Sequence, residues 1–135
     1  SEVEFEQHYG MKRDSRIEHI AMDVALEFEH SKGWTPEDVG SQNLGYDIRS
    51  TNADYIKRYI EVKGRSADGD VMLSSNEMNK LAQLGNKAWL YIVTHCSSNP
   101  QLHRIHDPAS KIQFEKLTKG VQYLAKKEHW TKHVS

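Results

Sequence analysis

Between Asp14 and Phe28 apolar residues recur every three or four positions, at Ile17, Ile20, Ala21, Val24, Ala25 and Phe28, which is the spacing of one buried helix face. Asp14 or Ser15 supplies an N-cap, and Gly33 an end. Residues 34–39 then read as a first extended segment, with Pro36 confining it to an edge or a loop. Around residues 46–48 and 59–62 the period drops to two, the alternation of half-buried strands. Turn formers fill residues 50–55, so the two stretches predict a hairpin folded about Asp54. Residues 71–73 predict a short strand. Ser74 with Glu77 three positions on makes a capping box for a helix ending near Gly85, with Met78, Leu81 and Ala82 as its buried stripe. Residues 88–93 form an unbroken apolar run, the pattern of a strand covered on both faces and the best candidate for the middle of the sheet. Residues 102–106, between Pro100 and Pro108, read as the next strand, joined antiparallel through a short hairpin over residues 94–101. Phe114, Leu117, Val121 and Leu124 allow a last helix that Gly120 weakens, and the final residues fit a frayed end.

This order of elements predicts an α/β fold with a mixed β-sheet flanked by helices. The 135 residues, 37% apolar and 27% charged, suit one compact domain. No stretch approaches the roughly 20 apolar residues that cross a bilayer, and the acidic start is unlike a secretory signal, so the expected setting is cytoplasmic, away from membranes. The single cysteine, Cys96, excludes an internal disulfide and a multi-cysteine zinc site; at the end of an apolar strand it reads as a buried structural thiol. His103 and His106 would point to opposite faces of a strand, and His129 and His133 have helical spacing but lack further ligands, which disfavours zinc. Trp34, Trp89 and Tyr91 read as core. A net charge of −1 is less basic than a free-standing nucleic-acid binder usually carries. The charge is uneven, with ten acids and four bases over residues 1–38 but two acids and six bases over residues 111–135. The basic end could touch phosphate, although a solvated lysine-rich tail is the simpler reading.

Asp47 and Glu61 stand fourteen residues apart on the two hairpin stretches. Folding about Asp54 brings them opposite one another, with Glu61 and Lys63 on one sheet face and Ile60 and Val62 on the other. Paired carboxylates repel, which raises a pKa or recruits a hard divalent cation. An exposed hairpin with an ordinary cross-strand ion pair accounts for the same spacing.

Gly45-Tyr46-Asp47-Ile48 followed by Ile60-Glu61-Val62-Lys63-Gly64-Arg65 resembles the Asp and Glu-X-Lys core of the PD-(D/E)XK, or restriction-endonuclease-like, nuclease superfamily. Residues 16–108 are moreover similar to the NO VEIN C-terminal domain family, whose members are often appended to helicase-like or ATPase proteins. The supporting segments are Ala25-Leu26-Glu27-Phe28-Glu29, Gly33-Trp34-Thr35-Pro36-Glu37-Asp38-Val39, Asn76-Glu77-Met78, Trp89-Leu90-Tyr91-Ile92-Val93 and His106-Asp107-Pro108. The resemblance implies a single restriction-endonuclease-like domain over residues 1–135, with its core at 14–108 and a C-terminal extension at 109–135. It further implies a metal-dependent nuclease in which Asp47, Glu61 and the carbonyl of Val62 ligate magnesium or manganese and Lys63 positions the attacking water. Glu18 matches the acid that some members add from the first helix; helical geometry sets it at the border of the apolar stripe. Arg65 and Ser66, just past the strand, are candidate phosphate contacts, although Arg65 reads equally as a surface residue, with Arg49 and Lys57 weaker candidates. Asn76 and Glu77 belong to the family pattern, which leaves a supporting or substrate-contacting role open for them, while the capping box explains Glu77 without chemistry. The implied partners are nucleic acid, DNA before RNA, a helicase or ATPase domain, and a second copy forming a homodimer through the edge at residues 34–39. The competing reading is a non-catalytic nucleic-acid or protein docking module of the same fold.

Overall fold

Helix α1 (Ser15–Ser31) starts where Asp14 accepts the Arg16 N–H and stops where Gly33 takes a left-handed backbone. Its apolar stripe decides the rest of that layer, because Ile17, Ala21 and Ala25 are buried against the sheet. The computed structural model describes residues 14–117 and 122–135. Its main sheet has five strands in the order β1 (Thr35–Asp38), β2 (Ile48–Thr51), β3 (Lys57–Gly64), β5 (Ala88–Thr94), β6 (Gln101–His106), all neighbours antiparallel except the parallel pair β3 and β5. The chain is thus an α/β fold with a mixed sheet flanked by helices, as the order of elements predicts.

The parallel pair requires a crossover, which β4 (Val71–Ser74) and α2 (Ser75–Leu84) supply. On the α1 face, Ile48, Ile60 and Tyr91 meet Ala25, while Val93 meets Ile17 and Ala21. On the other face Leu90, Ile92 and Ile105 meet Leu73, Leu81, Ile112, Ala125 and Trp130. Among the described residues no helix is long and apolar enough to cross a membrane.

Strand β3 is half-buried as expected, with Ile60 and Glu61 the buried residues in it. Four other expectations need correction. Strand β3, and not β5, occupies the middle of the sheet, because the parallel crossover inserts β5 between β3 and β6. Ala82 is exposed, and the buried stripe of α2 runs through Leu81, with Met78 and Leu84 partly covered. The C-terminal segment is not a helix over Phe114 to Leu124: β7 (Glu115–Leu117) and β8 (Gln122–Ala125) pair antiparallel and, with β4, form a second sheet in the order β4, β8, β7. Gly120 and Val121 lie outside the described residues. After α3 (Pro108–Lys111) and this hairpin, α4 (Lys127–Trp130) buries Trp130 at 1% exposure, and Val134 bridges to Ile105, so the end is packed and not frayed.

The expected edge strand is confirmed in β1, where Pro36, Glu37 and Asp38 carry the features that discourage further pairing. Trp34 and Trp89 are only half-buried; each lies against the Arg58 guanidinium, at 3.9 and 5.4 Å from ring centroid to Cζ. At the far end of β3, Gly64 lets α1 descend onto the strand. A Cβ there would fall 2.8 Å from the Ala21 Cβ and 3.1 Å from the Ile17 carbonyl oxygen, neither of which can move without the helix. Gly64→Ala should therefore lower stability by about 1–3 kcal/mol, read as a shift of the denaturation midpoint at unchanged slope. An unshifted midpoint would mean that α1 can lift without loss.

Candidate active site

Asp47 directly precedes β2, and its backbone is held from both sides: its N–H donates to the Ile60 carbonyl at 2.9 Å, and its carbonyl accepts the Val39 N–H at 2.8 Å. The register of the hairpin ends at Ile48 opposite Ile60, and Asp47 lies just beyond it, where its side chain meets that of Glu61. Because β2 begins only at Ile48, Val62 has no partner strand on that side. Its N–H donates instead to Asp47 Oδ2 at 2.8 Å. In an extended strand a residue's N–H and C=O point to the same side, so the Val62 carbonyl also faces the gap.

That gap is a cavity of about 370 Å³ lined by Glu18, Ala21, Met22, Gly40, Asp47, Glu61, Val62, Lys63, Gly64 and Glu77. A smaller one of about 140 Å³ adjoins it through Gly40, Asp47, Glu61 and Glu77, and extends to Asn43, Ser74 and Asn76. The structure thus gathers Asp47, Glu61, Val62, Lys63 and Glu18 around one space. Arg65 and Ser66 are not in that lining. Arg65 turns back along its own loop, so that a Cβ on Gly69 would lie 3.1 Å from a guanidinium nitrogen, and its buried Nε has no partner among the described residues. Arg49 is held by Glu37 at 3.1 Å, and Lys57 is exposed, so neither weaker candidate joins the cavity.

Glu77 is the residue that sequence reasoning undervalued. The predicted capping box forms, with Glu77 N–H donating to Ser74 Oγ at 3.1 Å and the Ser74 N–H donating to Glu77 Oε1 at 2.8 Å. The same Oε1 also accepts the Lys63 ammonium at 2.9 Å, while Glu61 Oε1 lies 3.7 Å from that nitrogen. The capping box marked Glu77 in the sequence, but not its contact with Lys63.

Protonation divides the acids. Burial pushes Glu61 well above the usual carboxylate range, with the nearby Asp47 and Glu77 adding to the rise against the pull of Lys63. Burial also raises Asp47, more than the Val62 N–H and Lys63 lower it. Glu77 goes the other way: burial raises it, but Lys63 and the Ser74 N–H together hold it below its ordinary value. For Lys63 burial favours the neutral amine, yet Glu61 and Glu77 outweigh it and keep the ammonium charged. The result is a Lys63–Glu77 ion pair beside two carboxyls whose ionisation burial opposes.

Among the described residues no group of three or more His, Cys, Asp or Glu side chains converges to hold a metal ion. The donors facing the gap form a half-shell: two carboxyls and a main-chain carbonyl. Magnesium is commonly bound by one or two carboxylates and retained waters, completed by substrate phosphate, in place of a full protein cage. Two acids whose ionisation burial opposes fit such a cation, since its charge would offset theirs. The other reactive candidates stay apart. His103 bonds Thr94 and lies tilted against Trp130, while His106 stacks on Trp89, so the two face opposite sides as expected. The Cys96 thiol is buried, donates to the Val93 carbonyl and is pushed up by burial.

The family model described as Protein NO VEIN, C-terminal, matches residues 17–105, and the chain belongs to that family. The match runs from α1 through β6 and contains every residue lining the two cavities. No curated protein and no solved structure matches the chain.

Proposed function

We propose that this member of the NO VEIN C-terminal family is a divalent-metal-dependent nuclease of the PD-(D/E)XK type, hydrolysing nucleic-acid phosphodiester bonds, DNA in preference to RNA. The observation that carries the reading is the meeting of Asp47, Glu61 and Lys63 in one cavity at the end of β3, with the Val62 carbonyl and Glu18 at its wall. Lys63 is the single cation in that lining, against four acidic side chains. A phosphate would be repelled there unless a further positive charge entered, so the geometry itself favours a metal-assisted reaction.

Asp47, Glu61 and the Val62 carbonyl would hold magnesium or manganese. Such an ion, when bound, lowers the pKa of its water and offsets the charge that builds on the phosphate oxygens. Lys63 orients the attacking water through its ammonium hydrogens. The main chain of β2 and β3 keeps the two carboxyls in register before substrate arrives. Ser66, exposed just beyond the cavity, remains available to a flanking phosphate, where contacts position a strand without reading its sequence, whereas Arg65 would have to leave its own loop to reach one.

The test is cleavage of single-stranded, duplex and branched DNA and of RNA, with magnesium, with manganese, and after chelation. We expect products with either metal and none with chelator, with full recovery on adding metal back. Nucleic-acid binding without cleavage of any substrate, unchanged by chelation, would favour the docking module.

A further inference from the structure

One carboxylate oxygen serves both the capping box and the cavity. Glu77 Oε1 takes the Ser74 N–H and the Lys63 ammonium together, at 2.8 and 2.9 Å. Capping alone requires only an acceptor at N3, and glutamine serves there as well as glutamate. Holding an ammonium calls for the charge. Lys63 carries its charge on a flexible four-carbon stem with three rotatable donors, so by itself it has no fixed direction. Its hydrogen bond among the described residues is to Glu77, with Glu61 Oε1 further off at 3.7 Å. Lys63 and Glu77 each keep only about a quarter of their side-chain surface in solvent, which shields the contact from competing water. The anchor is stiff as well, because the Ser74 amide belongs to the junction of β4 with α2 and fixes the glutamate rotamer from the main chain.

We propose that Glu77 is a positioning residue: fixed by the Ser74 capping box, it holds the Lys63 ammonium beside Glu61 and toward the cavity. The inference rests on the nuclease reading for what Lys63 does once placed. Glu77 also screens the cavity from the lysine charge, so that a cation can approach Asp47 and Glu61 with less repulsion. The first turn of α2 thereby becomes part of the active site, and a helix cap doubles as the support of a reactive side chain.

Glu77→Gln separates the two roles, since it keeps the cap and removes the charge. The experiment reads the lysine ammonium signals by proton–nitrogen NMR, with Lys63→Met for assignment, and runs cleavage kinetics on the same proteins. In wild type the Lys63 ammonium signal should be visible, because a held ammonium exchanges slowly with water. In Glu77→Gln the signal should vanish while the thermal midpoint, lowered by the lost charge alone, stays above that of Glu77→Ala. In parallel kcat should fall about 100-fold, the cost of misplacing a reacting group by about an ångström, with KM unchanged. Glu77→Ala should lose the cap too and melt earlier. A Lys63 signal that persists in Glu77→Gln, or an unchanged kcat, overturns the proposal and leaves the nuclease reading standing. A wild type that cleaves nothing, with the signal still responding to Glu77→Gln, sinks the nuclease reading and with it any catalytic meaning of the Glu77 contact.

Discussion

Glu61→Gln is expected to abolish metal-dependent cleavage and, in the same protein, to raise the thermal midpoint. The rate loss should be at least about a thousandfold, equivalent to roughly 4 kcal/mol of barrier, because the substitution removes one of the two carboxyls proposed to hold the metal. The gain in stability follows from burial. Glu61 is 2% exposed and its carboxyl is held well above its ordinary pKa, chiefly by desolvation. A group raised in the folded state contributes stability that is complete below the ordinary glutamate range. That contribution is lost as pH rises through the folded-state value. At neutral or alkaline pH the metal-free protein therefore carries the strain of a buried charge, which the isosteric amide lacks. The midpoint of Glu61→Gln should exceed that of wild type by several degrees above neutrality, at about 3–6 °C per kcal/mol for a chain of this size, and converge with it in mild acid. Magnesium or manganese should raise the wild-type midpoint and leave the variant unmoved. A variant less stable than wild type at every pH would mean that Glu61 is a structural acid, satisfied where it stands.

The legible part of this site was written in local signals. Turn formers between Ile48 and Tyr59 set the hairpin, and its closure about Asp54 brings Asp47 beside Glu61, while a strand period of two puts Lys63 on the face of Glu61. Partners remote in sequence were less visible. The contact of Lys63 with Glu77 depends on a parallel crossover that sets α2 beside β3, and nothing in the pattern of either segment announces it. The same crossover put β3 in the middle of the sheet. At the C-terminus Phe114, Leu117 and Leu124 have helix-like intervals, but Glu115–Leu117 and Gln122–Ala125 pair as strands. Position 29 is the most instructive miss. It continues the buried stripe of α1 through Ala21 and Ala25, yet holds a glutamate that is 0% exposed. The period was right, and the charge had its partner 29 residues away.

Glu29→Ala is expected to be the most destabilising substitution in the molecule, at about 3–5 kcal/mol, the range for removing one partner of a buried ion pair. Glu29 receives the Arg58 guanidinium in a two-point contact at 2.8 and 2.6 Å, and the Tyr91 hydroxyl at 2.7 Å. Burial and the glutamate together push the Tyr91 phenol up, so it stays a donor throughout the working range. One carboxylate thus ties α1 to β3 and β5. Removing it strands Arg58, whose side chain is 12% exposed and clasped by Trp34 and Trp89, and leaves the Tyr91 hydroxyl unpaired. Domains are stable by only about 5–15 kcal/mol, so the loss would remove a large part of the total. The denaturation midpoint measures it, and a second substitution assigns the cause. If the stranded cation dominates, Glu29→Leu combined with Arg58→Met should recover much of the stability, since apolar replacements of a buried pair are often neutral. A double variant no better than Glu29→Ala would move the cost to the Tyr91 contact and the fit of α1 on the sheet. Glu29 lies eleven residues along α1 from Glu18, about 16 Å of helix. Below its own midpoint, Glu29→Ala should therefore keep metal-dependent cleavage, whereas Glu61→Gln should keep its fold and lose it. Two glutamates with the same burial are distinguished by what meets them: Glu29 by a guanidinium, Glu61 by other acids and an open cavity.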